Sequence, residues 1–293
     1  MAEVISAAIS IAFHGIAFAM VLYLISVGLS VTMGLMGFVN LAHGVFAAAG
    51  GYVMTTLFND YGVPFPLAVA VAAVAVGVVS IALERTLYRR FYGGDELDQV
   101  LLTIALIFMS IAAAKYIWGS EQAPMHPPPY LAGHLVLDGR DFPTYRSFII
   151  VAGAVVVTLL WLGLDRTRLG AKIRAAVDNR RMAQSVGIDT SGLFSFTFAL
   201  GTGLAALGGA LGAEILPVFP GYALDNLIYF LIVVAVGGLG TIRGPFFAAL
   251  LLGVADTAFK YLLPEFGSFF IYALTLVVLL LRPKGLFGQI GRA

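Results

Sequence analysis

LFSFTFALGTGLAALGGALGA, residues 193–213, contains no charged side chain. A helix needs about 20 apolar residues to cross about 30 Å of hydrocarbon, and this stretch supplies them. The whole chain agrees with that reading. Of its 293 residues 60% are hydrophobic and only 11% charged, with a mean hydropathy of +0.96, too apolar to clothe a soluble globule in polar surface. The 34 glycines point to a packed bundle rather than a few simple anchors, because small residues let helices approach closely. The fold class expected is therefore all-α, a polytopic membrane bundle.

Working outward, apolar runs fall near 9–33, 37–58, 65–83, 98–118, 147–164, 193–213, 227–242, 245–263 and 268–281. They give eight or nine membrane segments. The last three are short or interrupted by Gly and Pro, which marks them as candidate half-helices or re-entrant pieces. The N-terminus, MAEVISAAISIAFHG, lacks the basic region and cleavage site of a signal peptide. It is expected in the mature chain, with the first span as insertion signal.

Immediately before the opening stretch lies DRTRLGAKIRAAVDNRRMAQSVGIDT, residues 165–190, with six basic residues at Arg166, Arg168, Lys172, Arg174, Arg180 and Arg181. Gly170 and Gly187 bracket a helix-compatible run in which Arg174 and Asp178 stand one turn apart, and Thr190 or Ser191 can cap the apolar helix that follows. Arg85, Arg89 and Arg90 occupy a second loop, and Arg282, Lys284 and Arg292 a third. An alternating topology puts these loops on one side, the cytoplasm, by their excess of Lys and Arg. Nine crossings with the N-terminus outside satisfy the pattern, whereas eight require one of the last pieces to be re-entrant or the short first segment to be placed differently. The Pro- and Gly-rich loop from Gly119 to Arg146 falls outside, and HLVLDGRDF within it predicts a hairpin turning at Asp138 and Gly139.

A formal net charge of +1 predicts no nucleic-acid partner, and the absence of cysteine excludes disulfides and thiolate chemistry. His126 and His134 are too isolated to suggest a metal site. No G-x-x-x-x-G-K-[ST] occurs, so the glycines of VGGLGTIRGPFF, residues 236–247, are read as a tight turn between packed half-helices. Asp256 and Lys260, at i and i+4, are read as a structural pair, with ion coupling through Asp256 as the alternative. In MGLMGFVNLAHGVFAAAGGY, residues 33–52, Asn40 and His43 stand inside apolar sequence beside Gly44. Polar groups at membrane depth need partners or water. They are candidates for a substrate pathway, with Asn40 as a cap for a helix from Leu41 as the competing reading.

Four pieces together resemble the permease family of branched-chain amino-acid ABC importers: FVNLAHGVFAAAGGY at 38–52, GAKIRAAVDNRRMAQSVGID at 170–189, VGGLGTIRGP at 236–245 and LRPKGLFG at 281–288. The resemblance implies a single transmembrane permease domain over 1–293 in the inner (plasma) membrane, moving branched-chain amino acids or related small amino acids and amides. It implies no cofactor and no catalytic residue. The partners implied are a second homologous permease subunit, cytoplasmic ABC ATPases and a periplasmic or extracellular substrate-binding protein. It further implies that the loop at 165–190 couples to the ATPases through Arg174, Ala175, Asp178, Asn179 and Gly187, with Arg181 beside them. An ion-coupled secondary transporter and an integral membrane enzyme stand as the competing classes.

Overall fold

The computed structural model describes residues 2–137 and 140–288. In chain order they form α1 (Ala2–Met36), α2 (His43–Asn59), α3 (Phe65–Thr86), a 3-10 turn at Tyr88–Phe91, and α4 (Glu96–Trp118). A hairpin of β1 (His134–Leu137) and β2 (Arg140–Pro143) precedes α5 (Thr144–Asp165), α6 (Arg168–Asp178) and α7 (Arg180–Ser185). The chain ends in α8 (Thr190–Gly212), α9 (Tyr222–Asp225), α10 (Leu227–Gly237), α11 (Arg243–Leu262) and α12 (Gly267–Leu281). Among the described residues, six helices are long and apolar enough to cross a membrane: α1, α3, α4, α5, α8 and α11. The shorter helices α2, α10 and α12 fall on the other three apolar runs, α10 and α12 in two shorter apolar stretches. The all-α polytopic bundle expected from composition is what the chain forms.

The charge-free stretch becomes the hub. α8 packs against α1, α2 and α3 at once, and its glycines are the points of closest approach. Gly201 meets Gly28 of α1, Gly209 meets the Ala47 carbonyl of α2, and Gly203 lies on the Ala73 carbonyl of α3. At each of these a Cβ would hold the backbones apart, so contact area replaces the hydrophobic driving force that lipid cannot supply between helices. α1 is the second axis, its Gly15 against Gly253 of α11. α4 is the opposite case: only 17% of its apolar window is buried, against 89% for α1, and Leu101, Phe108 and Met109 face outward.

The three basic loops converge on one end of the bundle. There the turn at 238–242 lies on the C-terminal part of α1, where Ser30 Oγ donates to the Thr241 carbonyl at 3.0 Å and the Gly240 amide donates to the Ser30 carbonyl at 3.0 Å. Residues 286 and 287 donate their amides to the carbonyls of Val236 and Gly237, so the 236–245 and 281–288 motifs form one unit. Arg292 lies outside the described residues. At the opposite end β1 and β2 pair antiparallel, from His134 with Pro143 to Leu137 with Arg140. The hairpin is the expected one, though Asp138 and Gly139 at its turn also lie outside the described residues.

Three boundaries differ from expectation. α11 is a full-length helix of 20 residues, because Pro245 sits in its first turn, where a missing N–H costs no hydrogen bond. The 165–190 stretch is two helices rather than one, broken at Asn179, whose extended backbone (φ −153°, ψ 99°) ends α6 and caps α7. α8 is capped by Asp189, which accepts from the amides of Ser191 and Gly192, rather than by Thr190 or Ser191.

Candidate translocation and coupling sites

The second apolar run does not continue as helix from Gly37. α1 closes with the Gly37 amide on the Met33 carbonyl at 2.9 Å, and Gly37 takes a positive φ of 60°, the region where a side chain is disfavoured. Residues 38–42 follow without helical hydrogen bonds of their amides, and α2 starts at His43. Its depth is fixed by one contact. His43 Nε2 lies 3.0 Å from the carbonyl oxygen of Ile25, a residue eleven positions before the end of α1, or roughly 16 Å along the axis at 1.5 Å per residue. α2 therefore begins well inside the apolar layer. Its N-terminal neighbour is the short α9, whose Ala223 packs on Gly44.

Non-helical backbone at membrane depth requires partners from the protein or from water. The Val39 amide donates to Gln99 Oε1 at 3.0 Å, while Gln99 Nε2 donates to the carbonyls of Phe91 and Gly94. Gln99 of α4 thus holds the break to the turn after α3. Asn40 is 2% exposed; its Oδ1 accepts from Tyr88 Oη at 3.4 Å and its Nδ2 has no partner. It caps nothing: Ala42 occupies the N-cap position of α2, with no side-chain cap. A carbonyl can only accept, so His43 carries its proton on Nε2 and leaves Nδ1 as an acceptor. That Nδ1 is buried and unpartnered. The break hence presents an unpaired donor at Asn40 and an unpaired acceptor at His43, three residues apart. Gly44 beside them lets α9 approach, rather than leaving open space.

On the basic end, Thr167 caps α6 by accepting from the Gly170 amide at 3.2 Å. Gly170, Ile173 and Ala176 form its buried face, and Arg174 reaches back to the Leu164 carbonyl at the end of α5. Gly170 belongs to the first turn of α6, pressed on the backbone of Leu164. After α7, Gly187 turns with a φ of 84° and the Ile188 amide returns to the Ala183 carbonyl at 3.0 Å. Arg174, Ala175, Asp178, Asn179, Arg181 and Gly187 are all exposed on this helical hairpin. Between α6 and the 238–242 turn lies a groove of about 700 Å³ bordered by Arg174, Ala175, Asp178, Leu239 and Arg243.

Sequence reasoning missed Tyr88 and Gln99, which hold the break, and Met182 and Val186, apolar side chains 63% and 71% exposed on and just after α7. Gln99 had a signal, as a polar residue at the start of the fourth apolar run. Met182 and Val186 had none, since their exposure follows from where Asn179 breaks the helix.

The motifs that build the break, the hairpin and the glycine turn are matched as a set. The family described as branched-chain amino acid transport system / permease component matches residues 11–279. The chain belongs to this permease family. It is 28% identical over 279 residues to the high-affinity branched-chain amino acid transport system permease protein BraD of Pseudomonas aeruginosa, covering 91% of each chain. To the corresponding LivH protein of Escherichia coli K12 it is 27% identical over 295 residues, covering 94% of each. A probable LivH permease of Methanocaldococcus jannaschii is 29% identical over 291 residues, covering 91% of this chain and 88% of the relative. No solved structure matches the permease.

Proposed function

We propose that this permease is one of two homologous membrane subunits of an ABC importer, in the inner (plasma) membrane, that moves branched-chain amino acids or related small amino acids and amides past the 37–42 break. The observation that carries this reading is the presence, three residues apart, of a buried unpartnered donor, Asn40 Nδ2, and a buried unpartnered acceptor, His43 Nδ1, on a segment held against Ile25 of α1. A buried polar atom without a partner costs about 1–3 kcal/mol. An amino acid in transit offers what each lacks, a carboxylate for the amide and an ammonium for the imidazole, and the cost is removed only while substrate passes.

Energy for transport comes from ATP hydrolysed by cytoplasmic partner subunits docked on α6 and α7, because the chain has no phosphate-binding loop of its own. Two contact routes support this. α7 joins α8 through Asp189, and the side chain of Val177 on α6 approaches Gly240, in the turn held by Ser30 of α1. Closure of the ATPases can thus move both axes of the bundle. The opposite end, with the β1–β2 hairpin, receives substrate from a binding protein. An ion-coupled transporter is the weaker reading, since Asp256 is engaged by Lys260 at 2.7 Å.

Reconstitution in proteoliposomes with the second permease, the ATPases and the binding protein tests the proposal. Asn40→Leu and His43→Leu should each lower uptake of labelled leucine by at least tenfold while the complex still assembles. Normal uptake in both variants would remove the pathway from the break.

A further inference from the structure

Several charged side chains gather at the end of the bundle opposite the coupling hairpin, and the pathway and coupling sites use none of them. Arg146 of α5 donates Nη1 to His14 Nδ1 of α1 at 2.7 Å, and its Nε stands 3.8 Å from Glu214 Oε1 just beyond α8. On α11, Lys260 Nζ holds Asp256 Oδ2 at 2.7 Å. The same ammonium lies 5.9 Å from the ring centre of Phe18 and 5.8 Å from that of Tyr229. Arg146, Asp256, Lys260 and Tyr229 line one cavity of about 230 Å³, with Ile215 and Leu216 as part of its apolar wall.

The sequence reading of Asp256 and Lys260 as a closed pair is incomplete in one respect. Asp256 is 2% exposed, yet only Oδ2 is engaged; Oδ1 is buried with no hydrogen-bond partner. Arg146 Nε likewise is buried without a hydrogen bond. Because an arginine cannot accept, His14 accepts at Nδ1 and so keeps its proton on Nε2, a further donor beside Arg146. The cavity therefore offers an unsatisfied carboxylate oxygen on one helix and several N–H donors on others.

That combination selects among ligands. A simple anion would meet Arg146 and Lys260 but leave Asp256 Oδ1 unpaired and repelling it. A simple cation would satisfy Asp256 and face two fixed positive charges. A molecule carrying both an ammonium and an anion gives Asp256 Oδ1 a donor and the N–H groups of Arg146 and Lys260 an acceptor, and charge-assisted hydrogen bonds of this kind are the strong ones. Glu214 Oε2, buried without a hydrogen-bond partner behind Arg146, is outside the cavity lining and takes no part. The volume is below the roughly 300–1,000 Å³ of pockets for drug-sized ligands, which limits the guest to a small molecule or a headgroup.

We propose that this cavity is a binding site for a small zwitterion, its anionic group on Arg146 and Lys260 and its primary ammonium on Asp256 Oδ1. A free amino acid and a phosphoethanolamine lipid headgroup share this chemistry. The site does not depend on the pathway reading, since its charged groups lie on α5 and α11 and it takes nothing from Asn40 or His43.

Titration calorimetry on the purified complex containing the full chain separates the sources, with L-leucine, glycerophosphoethanolamine and glycerophosphocholine as probes. At least one of the first two binds the wild type, keeps its affinity in Asn40→Leu, and binds at least tenfold more weakly in Arg146→Gln and in Asp256→Asn. Leucine alone identifies a solute site, glycerophosphoethanolamine alone a lipid site, and both together the shared chemistry. Glycerophosphocholine, whose ammonium has no N–H to donate, binds at least tenfold more weakly than its ethanolamine counterpart wherever the latter binds. If Asp256→Asn does not fold, Arg146→Gln decides, because it lies on another helix with its side chain 29% exposed. The proposal is overturned if neither leucine nor glycerophosphoethanolamine binds, if affinity is unchanged in either folded variant, or if the choline probe binds as well as the ethanolamine probe. Leucine binding lost in Asn40→Leu but kept in Arg146→Gln also overturns it, while leaving the pathway reading standing.

Discussion

Ser195 Oγ donates to Glu84 Oε2 at 2.6 Å across 111 residues of chain, joining the first turns of α8 to the last turn of α3. Glu84 is fully buried and is engaged from three sides. Tyr92 Oη donates to Oε1 at 2.8 Å, and Arg89 reaches both carboxylate oxygens at 3.4 Å while donating to Ser195 Oγ at 3.1 Å. Burial, then the hydrogen bond to Glu84 and the charge of its carboxylate, hold the Tyr92 phenol well above its ordinary pKa, so it stays a donor. The network fixes the hub helix where the hairpin of α6 and α7 enters it.

Removing the carboxylate takes the acceptor from three donors, at about 1–3 kcal/mol for each that stays buried, while the Arg89 side chain, 41% exposed, turns to water. Loss of the serine hydroxyl alone costs about 1–3 kcal/mol, since Glu84 keeps its other partners. Thermal unfolding of the purified permease should therefore rank wild type above Ser195→Ala and Ser195→Ala above Glu84→Ala. Equal melting temperatures in all three would show that the network contributes nothing to stability.

The glycines of α8 make a second, independent prediction. A Cβ at Gly209 would overlap the Ala47 carbonyl of α2, whereas one at Gly163 of α5 meets nothing within 4 Å. Gly209→Val should separate the helices and abolish monodisperse protein in size-exclusion chromatography. Gly163→Ala should be neutral or slightly stabilising, because Ala is the better helix former by about 0.5–1 kcal/mol.

Much of the bundle was legible in the sequence, because span length and charge are properties of contiguous residues. Nine apolar runs predicted nine of the helices, and HLVLDGRDF predicted the paired strands. What contiguous sequence could not give is depth. Asn40 reads as a plausible cap until His43 is found bonded to Ile25, since only packing decides that the helix waits until position 43. Glu84 escaped notice for a related reason: Ser195 is brought to it only by the α3–α8 contact, while Arg89 and Tyr92 reach it from the turn just after α3, a loop weighed for its arginines alone. Asn179 breaks the 165–190 stretch into α6 and α7 through a side-chain cap that competes with a helix-compatible pattern on both sides, a balance that pattern alone leaves open.

The excess of Lys and Arg at one end predicts that this end faces the cytoplasm, and the chain's lack of cysteine makes the orientation directly measurable. Single cysteines at Arg181, exposed on α7, and at Asp141, exposed in the hairpin, should behave oppositely. In intact cells a membrane-impermeant maleimide should label the cysteine at 141 and spare the one at 181, which should react only after permeabilisation. The reverse pattern would put the hairpin of α6 and α7 outside, beyond the reach of any ATPase.

Docking itself should depend on apolar contact as well as charge. Exposed single ion pairs contribute only about 0.2–1 kcal/mol, so Arg181→Glu alone should weaken ATPase coupling by less than tenfold. Arg174 is a poor choice for such a test, because its guanidinium also holds the end of α5 through the Leu164 carbonyl, and its replacement would disturb the hairpin as well as the surface. Met182 and Val186 are different. They are exposed, four residues apart in sequence, on and just after α7. Burying each against a partner is worth about 1.5–3 kcal/mol, so the pair outweighs any one surface charge. Met182→Asp with Val186→Asp should leave melting temperature and membrane insertion unchanged, since neither side chain is packed within the chain, yet release the ATPase subunits during copurification and abolish uptake. Retention of the ATPases by this double variant at wild-type stoichiometry would move the docking surface off α7.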